Sequence, residues 1–221
     1  MPSSGEREFA TLVAQLRALE DEIAGARRAS EDARFGHSHD HHVSRERGPA
    51  PRGEPVTLAD GARILIRPIE PGDAGELAAG LAHLGAVSRF RVFGERVSHL
   101  TRQELADLTH VDHSSSDALV ALDAATGEGV GIARYERVPG DATRAEVSCA
   151  VLDAWQHRGV GSALAERLAA RARAAGIERC TALLVLGNER GRRLLAHVAD
   201  EVAERRDGGT VAVTAQARRT P

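Results

Sequence analysis

The sequence contains no lysine, because all 29 of its basic residues are arginine. A Walker-type nucleotide loop requires Gly-Lys-Ser/Thr, so this absence excludes that phosphate-binding motif. The chain is rich in alanine and glycine, and codon bias toward GC-rich DNA explains the missing lysine better than selection against it. The net charge is −3. A general nucleic-acid-binding protein usually carries a basic balance, so we expect no nucleic-acid partner.

Cysteine and long apolar runs are also scarce. The two cysteines, Cys149 and Cys180, cannot build a disulfide framework. Both lie in apolar, strand-like runs, which is typical of small buried side chains in a reducing compartment. No apolar run approaches the roughly 20 residues of a membrane helix, and the first residues lack a signal sequence. We therefore expect a cytoplasmic protein with no membrane partner.

Residues 1–34 are predicted to form an N-terminal amphipathic helix. Between residues 7 and 34, apolar residues recur at steps of three and four, at Leu12, Leu16, Leu19 and Ile23. One stripe falls short of a coiled coil. Three arrangements stay open: the helix docks on the domain, pairs with a second chain in a homodimer, or is loosely ordered.

Residues 35–54 are predicted to form a linker rich in His, Pro and Gly. It contains the cluster His37, His39, Asp40, His41 and His42. His-rich tracts can bind zinc or nickel, but this spacing matches no closed structural site. We interpret the cluster as part of a solvated linker and predict no metal site.

Residues 55–217 show the alternation of a single α/β domain, and 221 residues leave little room for a second one. The pattern predicts strands at 62–69, 118–122, 130–138, 144–152 and 181–186, and a hairpin at 201–215. Helices are predicted from Asp73, as N-cap, to Leu84, within 86–110 in two stretches, and at 160–175 and 188–198. The second stretch follows a capping box of Thr101 and Glu104.

A glycine turn joins the fourth of these strands to a helix. Its sequence is Gln156-His157-Arg158-Gly159-Val160-Gly161. Helix N-termini carry unpaired N–H groups and a positive dipole end, and glycine permits close approach of a phosphate. A dinucleotide fingerprint needs Gly or Ala three residues after the second glycine, where Leu164 stands. The turn therefore predicts another phosphate-bearing ligand.

The motif Gln156-x-x-Gly159-x-Gly161 resembles the signature of the GNAT N-acetyltransferase family. Its place after the fourth strand, and Asn188 after the next one, support the resemblance, which covers most of residues 55–217. Segments such as Ser88-Arg89-Phe90 and Val111-Asp112-His113 further resemble the acetyltransferase domain of bacterial Pat-type protein lysine acetyltransferases. The implied fold is a mixed, mostly antiparallel sheet flanked by helices, here with the N-terminal helical extension.

The resemblance implies acetyl-CoA as cosubstrate. Its pantetheine arm would add to the strand edge where the fourth and fifth predicted strands separate after Val151, near Val151 and Asp153. Backbone N–H groups of residues 158–163 would hold the pyrophosphate, and Asn188 would point into the same cleft or act as an N-cap. The implied site residues are Val151, Asp153, Gln156, Arg158, Gly159, Val160, Gly161, Ser162, Ala163 and Asn188.

Glu146 is the candidate catalytic base. An amine must be neutral to attack, and a nearby carboxylate can take its proton. Strand alternation predicts Glu146 on one face with Ser148 and Ala150, in the position that the Pat-type pattern gives the base. A salt-bridged strand glutamate is the alternative. Many family members place a tyrosine acid on the last helix, but Leu195 stands there.

These features predict an N-acetyltransferase that transfers acetyl from acetyl-CoA to an amine, either a protein lysine or a small amine. The alternative is a catalytically weak module of the same fold that binds acyl-CoA and serves regulation or interaction. The adjacent Asp112 and His113 are expected to bond locally, with no catalytic role.

Overall fold

The computed structural model describes residues 52–93, 100–207 and 210–217. The described residues all belong to one compact unit, Ala50–Pro221. The predicted N-terminal helix, the His-rich cluster and most of the predicted linker lie outside the described residues.

One sheet of eight strands organises the described part of the chain, in the order β1-β2-β3-β4-β5-β6-β8-β7. The strands are β1 (Glu54–Thr57), β2 (Arg63–Pro68), β3 (Ser116–Asp123), β4 (Gly129–Val138), β5 (Asp141–Val151), β6 (Arg179–Val185), β7 (Ala199–Asp207) and β8 (Thr210–Ala217). Neighbouring strands run antiparallel except β5 and β6, which are parallel. The predicted mixed, mostly antiparallel sheet is confirmed.

Five α-helices flank this sheet in the described residues. They are α1 (Ala74–His83), α2 (Ala86–Phe93), α3 (Arg102–Thr109), α4 (Val160–Ala174) and α5 (Glu189–Val198). On one face, Leu164 and Leu168 of α4 pack in the main core with β2 to β5. Leu195 of α5 packs beside them against β6 and β8. Leu77 of α1 packs against the other face, so both faces of the central strands are buried.

Local signals set most of these boundaries. Thr101 and Glu104 form the predicted capping box at the start of α3. Gly176 has φ +81° just after α4, which is the left-handed conformation that ends a helix there. In the described segments, no helix is long and apolar enough to cross a membrane. The same segments contain no cluster of three or more potential metal ligands.

Two features differ from the sequence prediction. Strand β1 was not predicted, since Glu54 was assigned to the linker, and it forms by pairing antiparallel with β2. Asp73 is the N-cap residue of α1, as predicted, but its side chain makes no hydrogen bond to the helix end. Its carboxylate instead accepts two hydrogen bonds from Arg67, both 2.7 Å long, and one from the Glu70 N–H. The partly buried Arg67 outcompetes the helix end for this carboxylate.

Candidate acyl-CoA site

A gap opens in the sheet between the parallel strands β5 and β6. Their register runs from Arg144 opposite Arg179 to Glu146 opposite Thr181 and ends there. The strands therefore separate after Glu146, five residues earlier than the predicted position after Val151. The early separation exposes a longer stretch of strand edge than the sequence suggested.

The backbone of β5 presents hydrogen-bonding groups to this gap. The Leu152 N–H donates to the Val130 carbonyl on β4, so the even-numbered residues near this end point their backbone groups toward β4. The backbone groups of Val147, Cys149 and Val151 consequently point toward β6, which does not pair with this part of β5. An extended ligand can pair with this edge as an added strand would.

A cavity of about 660 Å³ occupies the gap and the space below α4 and α5. Ser148 and Ala150 line it from one face of β5, while Val147 and Cys149 line it from the other. The cavity therefore reaches through the sheet. Its size is within the range of small-molecule and cofactor sites.

The glycine turn lies at the outer end of the cavity. Gly159 has φ +100° and is the N-cap of α4, a conformation that strongly favours glycine. The first internal helical bond runs from the Ala163 N–H to the Gly159 carbonyl at 3.0 Å. The N–H groups of Val160, Gly161 and Ser162 are thus left for a ligand. Ala163 was predicted to donate to the pyrophosphate, but its N–H is used within the helix.

Gly161 differs from Gly159 in what its side chain would meet. Its backbone is not left-handed, and a Cβ atom there would lie 3.8 Å from Leu194 and Val151 side chains, an ordinary contact. The protein itself therefore leaves room for a methyl group at position 161. Any requirement for glycine at position 161 therefore comes from a ligand that approaches the N-terminal end of α4 from the cavity.

The side chain of Arg158 is held at the rim of the turn. Its guanidinium lies 4.1 Å from the centre of the Trp155 ring, and its Nε donates to the Asp60 carboxylate at 2.5 Å. A hydrogen bond from the Ala62 N–H and the Arg158 side chain together lower the pKa of Asp60. Arg158 therefore adds positive charge beside the turn while its guanidinium contacts protein groups.

Gln156 joins four parts of the site through its side chain. Its Nε2 lies 2.8 Å from Asp153 Oδ1, 3.0 Å from the Val151 carbonyl oxygen and 3.1 Å from Ser88 Oγ. Its Oε1 accepts a hydrogen bond of 2.5 Å from Arg190 on α5. This arrangement gives the Gln156 side chain a structural role, holding the end of β5 beside α2 and α5.

Asp153 anchors the start of α2. Its carboxylate accepts hydrogen bonds from the Gly85 N–H at 3.0 Å and from Ser88 Oγ at 2.5 Å. A Cβ atom on Gly85 would collide with this carboxylate. Asp153 was predicted to lie at the pantetheine edge and Ser88 was given no role, although the segment Ser88-Arg89-Phe90 was part of the family resemblance. That segment was the available signal.

Glu146 lies at the point where the gap closes. Val147 and Cys149 pack against the core under α4, so Glu146 is on the opposite face, as the alternation predicted. Its side chain is exposed and does not line the cavity. Among the described residues, Glu146 has no ion-pair partner. Its neighbour on β4 is Glu136, which is paired with Arg134 at 2.8 Å.

Asn188 caps α5. Its Oδ1 accepts a hydrogen bond of 3.1 Å from the Gly191 N–H, and the residue also lines the cavity. The N-cap role is confirmed, and the two roles considered for this residue are compatible. Leu195, where many family members carry tyrosine, is buried in the core beneath α5 and lines the same cavity.

Other titratable groups near the site serve the fold. Asp112 accepts hydrogen bonds from the hydroxyl of Ser115 and from three backbone N–H groups, which lowers its pKa, so its predicted local role is confirmed. Burial raises the pKa of Cys149 to about 12 and that of Cys180 to about 11. Both thiols are neutral at physiological pH.

Comparison with known proteins supports the family resemblance seen in the sequence. Residues 88–199, half of the chain, match the model of the acetyltransferase (GNAT) family. The chain is 31% identical over 141 residues to acetyltransferase Pat of Mycolicibacterium smegmatis. That match covers 64% of this chain and 42% of the relative, so the chain spans less than half of that protein.

Solved structures share the fold. The crystal structure of the GNAT domain of S. lividans PAT matches 77% of this chain and 99% of that domain, with a TM-score of 0.67 and 29% identity. The structure of yncA from Salmonella typhimurium with its cofactor acetyl-CoA matches 70% of this chain and 93% of its own. Its TM-score is 0.53 at 21% identity, which shows similarity of fold alone.

Proposed function

We propose, since the chain belongs to the GNAT acetyltransferase family, that it transfers an acetyl group from acetyl-CoA to an amine. One observation carries the proposal. The strand edge left open after Glu146 leads along β5 to the uncapped N-terminus of α4, and a single cavity connects the two. Such a site suits a ligand with an extended amide-containing arm and a pyrophosphate.

The residues fit acetyl-CoA group by group. The N–H groups of Val160, Gly161 and Ser162 would hold the pyrophosphate, because the helix dipole favours negative charge there. The gap-facing backbone groups of Val147, Cys149 and Val151 would bind the arm. Acetyl-CoA supplies an activated acyl group as a thioester. Asn188, the N-cap residue of α5, would lie beside the pantetheine arm.

Glu146 is proposed as the general base. The amine would approach from the face of β5 that carries Glu146, opposite the face covered by α4. A carboxylate at the closing point of the gap can accept a proton from the ammonium, directly or through a water molecule, and leave the amine neutral. Exposure of Glu146 gives the proton a path to solvent. The neutral Cys149 thiol is not suited to carry the acyl group, which favours direct transfer to the amine.

A protein lysine is the proposed acceptor class. The resemblance of several sequence segments to Pat-type protein lysine acetyltransferases supports it, together with the similarity to Pat and to the GNAT domain of PAT, and a small amine is the other class that the same chemistry serves. Glu146 and the open edge of β5 would serve transfer to either acceptor class. We place the acetyltransfer in the cytoplasm, in keeping with the reduced cysteines.

Single-turnover acetyl transfer tests the proposal. The protein loaded with radiolabelled acetyl-CoA is mixed with lysine peptides and with a panel of small amines. The substitution Glu146→Gln keeps the shape and removes the basicity, and we expect kcat/KM for the amine to fall about 10²–10⁴-fold. Higher pH should partly restore the rate, because more amine is then already neutral. Glu136→Gln, on the adjacent strand, is the matched control and should retain the rate.

A second candidate function is acyl-CoA binding without turnover. Leu195 favours it, because a leucine cannot protonate the leaving thiolate. In the same experiment this module would bind acetyl-CoA and show no transfer to any amine. Normal transfer by Glu146→Gln would instead exclude Glu146 as the base.

A further inference from the structure

The cavity continues beyond the point where β5 and β6 rejoin. The gap lies after the pair Glu146 and Thr181, yet Cys180, which precedes this pair, also lines the cavity. Helix α4 connects the parallel strands β5 and β6 and therefore runs back along the sheet. Ala172, near its C-terminal end, lines the cavity as well. The inner end thus extends past the pair of residues at which the gap closes.

The dimensions give the length of this extension. From Gly161 to Ala172 the cavity follows α4 for about 17 Å, at about 1.5 Å per residue. The open edge of β5, from Val151 to Val147, is only about 13 Å long at about 3.3 Å per residue. The cavity along α4 is therefore about 4 Å longer than the open strand edge, by the same two rises.

The side chains around the inner end are small and apolar. They are Ala169, Ala172, Cys180, Ala182 and Ala215, and we call this region the acyl pocket. Three of these alanines are buried within the two cores, and burial keeps the Cys180 thiol neutral. The neighbouring Leu195 is shorter than the tyrosine of many relatives. Nothing in this set of residues offers a charge, so the region suits a hydrocarbon.

We propose that the acyl pocket binds the hydrocarbon tail of an acyl group longer than acetyl, so that the preferred donor is a short-chain acyl-CoA such as butyryl-CoA. The inference rests on the proposed function, since the thioester must lie in the gap for the tail to reach the pocket. Each methylene group that enters the pocket leaves water, which strengthens binding about fourfold.

Binding of an acyl-CoA series tests the inference without relying on catalysis. The dissociation constants of free CoA, acetyl-CoA, propionyl-CoA and butyryl-CoA are measured by isothermal titration calorimetry on the full chain. We expect the affinity to rise about fourfold from acetyl to propionyl and again to butyryl. Ala169→Leu fills the pocket and should bring the ratio of butyryl to acetyl affinity to one or below. Ala170→Leu, at the adjacent exposed position, is the matched control and should keep the wild-type ratio.

The outcomes separate the two proposals. Failure of the wild-type protein to bind any of the four ligands overturns the proposed function. Binding of acetyl-CoA with affinity that falls toward butyryl-CoA overturns the acyl pocket alone. A rising series that Ala169→Leu leaves unchanged shows that the tail lies elsewhere, which also overturns it. If Ala169→Leu does not fold, as judged by circular dichroism, Ala169→Val provides a smaller filling group with the same expected direction.

Discussion

Replacing Gly161 with aspartate should stabilise the free protein while abolishing acetyl-CoA binding. Gly161 is the second residue of α4, and a Cβ atom there has room, with its nearest neighbours 3.8 Å away. Aspartate has a better helix propensity than glycine, and its charge interacts favourably with the N-terminal end of the helix. Together these effects amount to about 1 kcal/mol, which raises the Tm of a chain of this size by about 3 °C.

The same charge should exclude the ligand. Two like charges about 4 Å apart repel by about 4 kcal/mol at the dielectric of a partly exposed site. This weakens binding about a thousandfold, since 1.4 kcal/mol corresponds to a factor of ten. For the wild-type protein, ligand at 100 times its Kd adds about 2.7 kcal/mol of stability. That corresponds to a Tm increase of about 8 °C, which Gly161→Asp should lose at the same acetyl-CoA concentration.

Differential scanning fluorimetry with and without acetyl-CoA measures both effects. Gly75→Asp is the matched control, because Gly75 is also the second residue of a helix and a Cβ atom there meets nothing within 4 Å. This control should gain some stability and keep the full shift with acetyl-CoA. An undiminished shift in folded Gly161→Asp would refute the assignment of the pyrophosphate to the end of α4.

Other perturbations test the surrounding structure. Asp153→Ala should release α2 and raise KM for the amine more than KM for acetyl-CoA. Asp153→Asn, which keeps one acceptor oxygen, should recover part of the loss. Equal changes in both KM values would contradict this positioning role. Gly191→Ala should change the free energy of unfolding by less than about 1 kcal/mol, because its Cβ would lie 2.7 Å from only the flexible end of the Leu184 side chain and alanine has the better helix propensity, while Gly80→Ala, in open space, should raise the Tm measured in the same melt. The thiols of Cys149 and Cys180 should resist Ellman's reagent at pH 8 until denaturant is added. Because the pKa of each thiol is raised in the folded protein, the thiols add to the free energy of unfolding below the ordinary thiol pKa. This contribution should be lost as the pH rises through about 11 to 12. Intact-mass measurement after incubation with acetyl-CoA should show no side-chain lysine acetylation, since the sequence has no lysine; several stoichiometric additions would contradict this.

Local patterns were sufficient for the features that depend on local contacts. The alternation around Glu146 predicted the face on which it lies, because successive residues of a strand point to opposite sides. The capping box at Thr101 and the end of α4 at Gly176 were predicted for the same reason, since each involves residues within one or two turns. The glycine turn was predicted because its backbone conformation depends on adjacent residues of one short motif.

Contacts between distant parts of the chain decided the rest. Asp153 meets Gly85 and Ser88, which lie 68 and 65 residues away in sequence, and no local pattern encodes such a meeting. Strand β1 exists because β2 offers an edge to pair with, although its own four residues carry little strand signal. Where β5 and β6 separate is likewise a property of two strands together.

The sequence by itself determined the family, the order of strands and helices apart from β1, and the position of the glycine turn, because these follow from short-range periodicity and from a motif of six residues. Only the tertiary structure decided that the gap opens at Glu146, that the Ala163 N–H donates to the Gly159 carbonyl within α4, and that small side chains from α4, β6 and β8 enclose one cavity. Cavity shape arises from the packing of several elements against each other, and the side chains that meet there are separated by tens of residues along the chain.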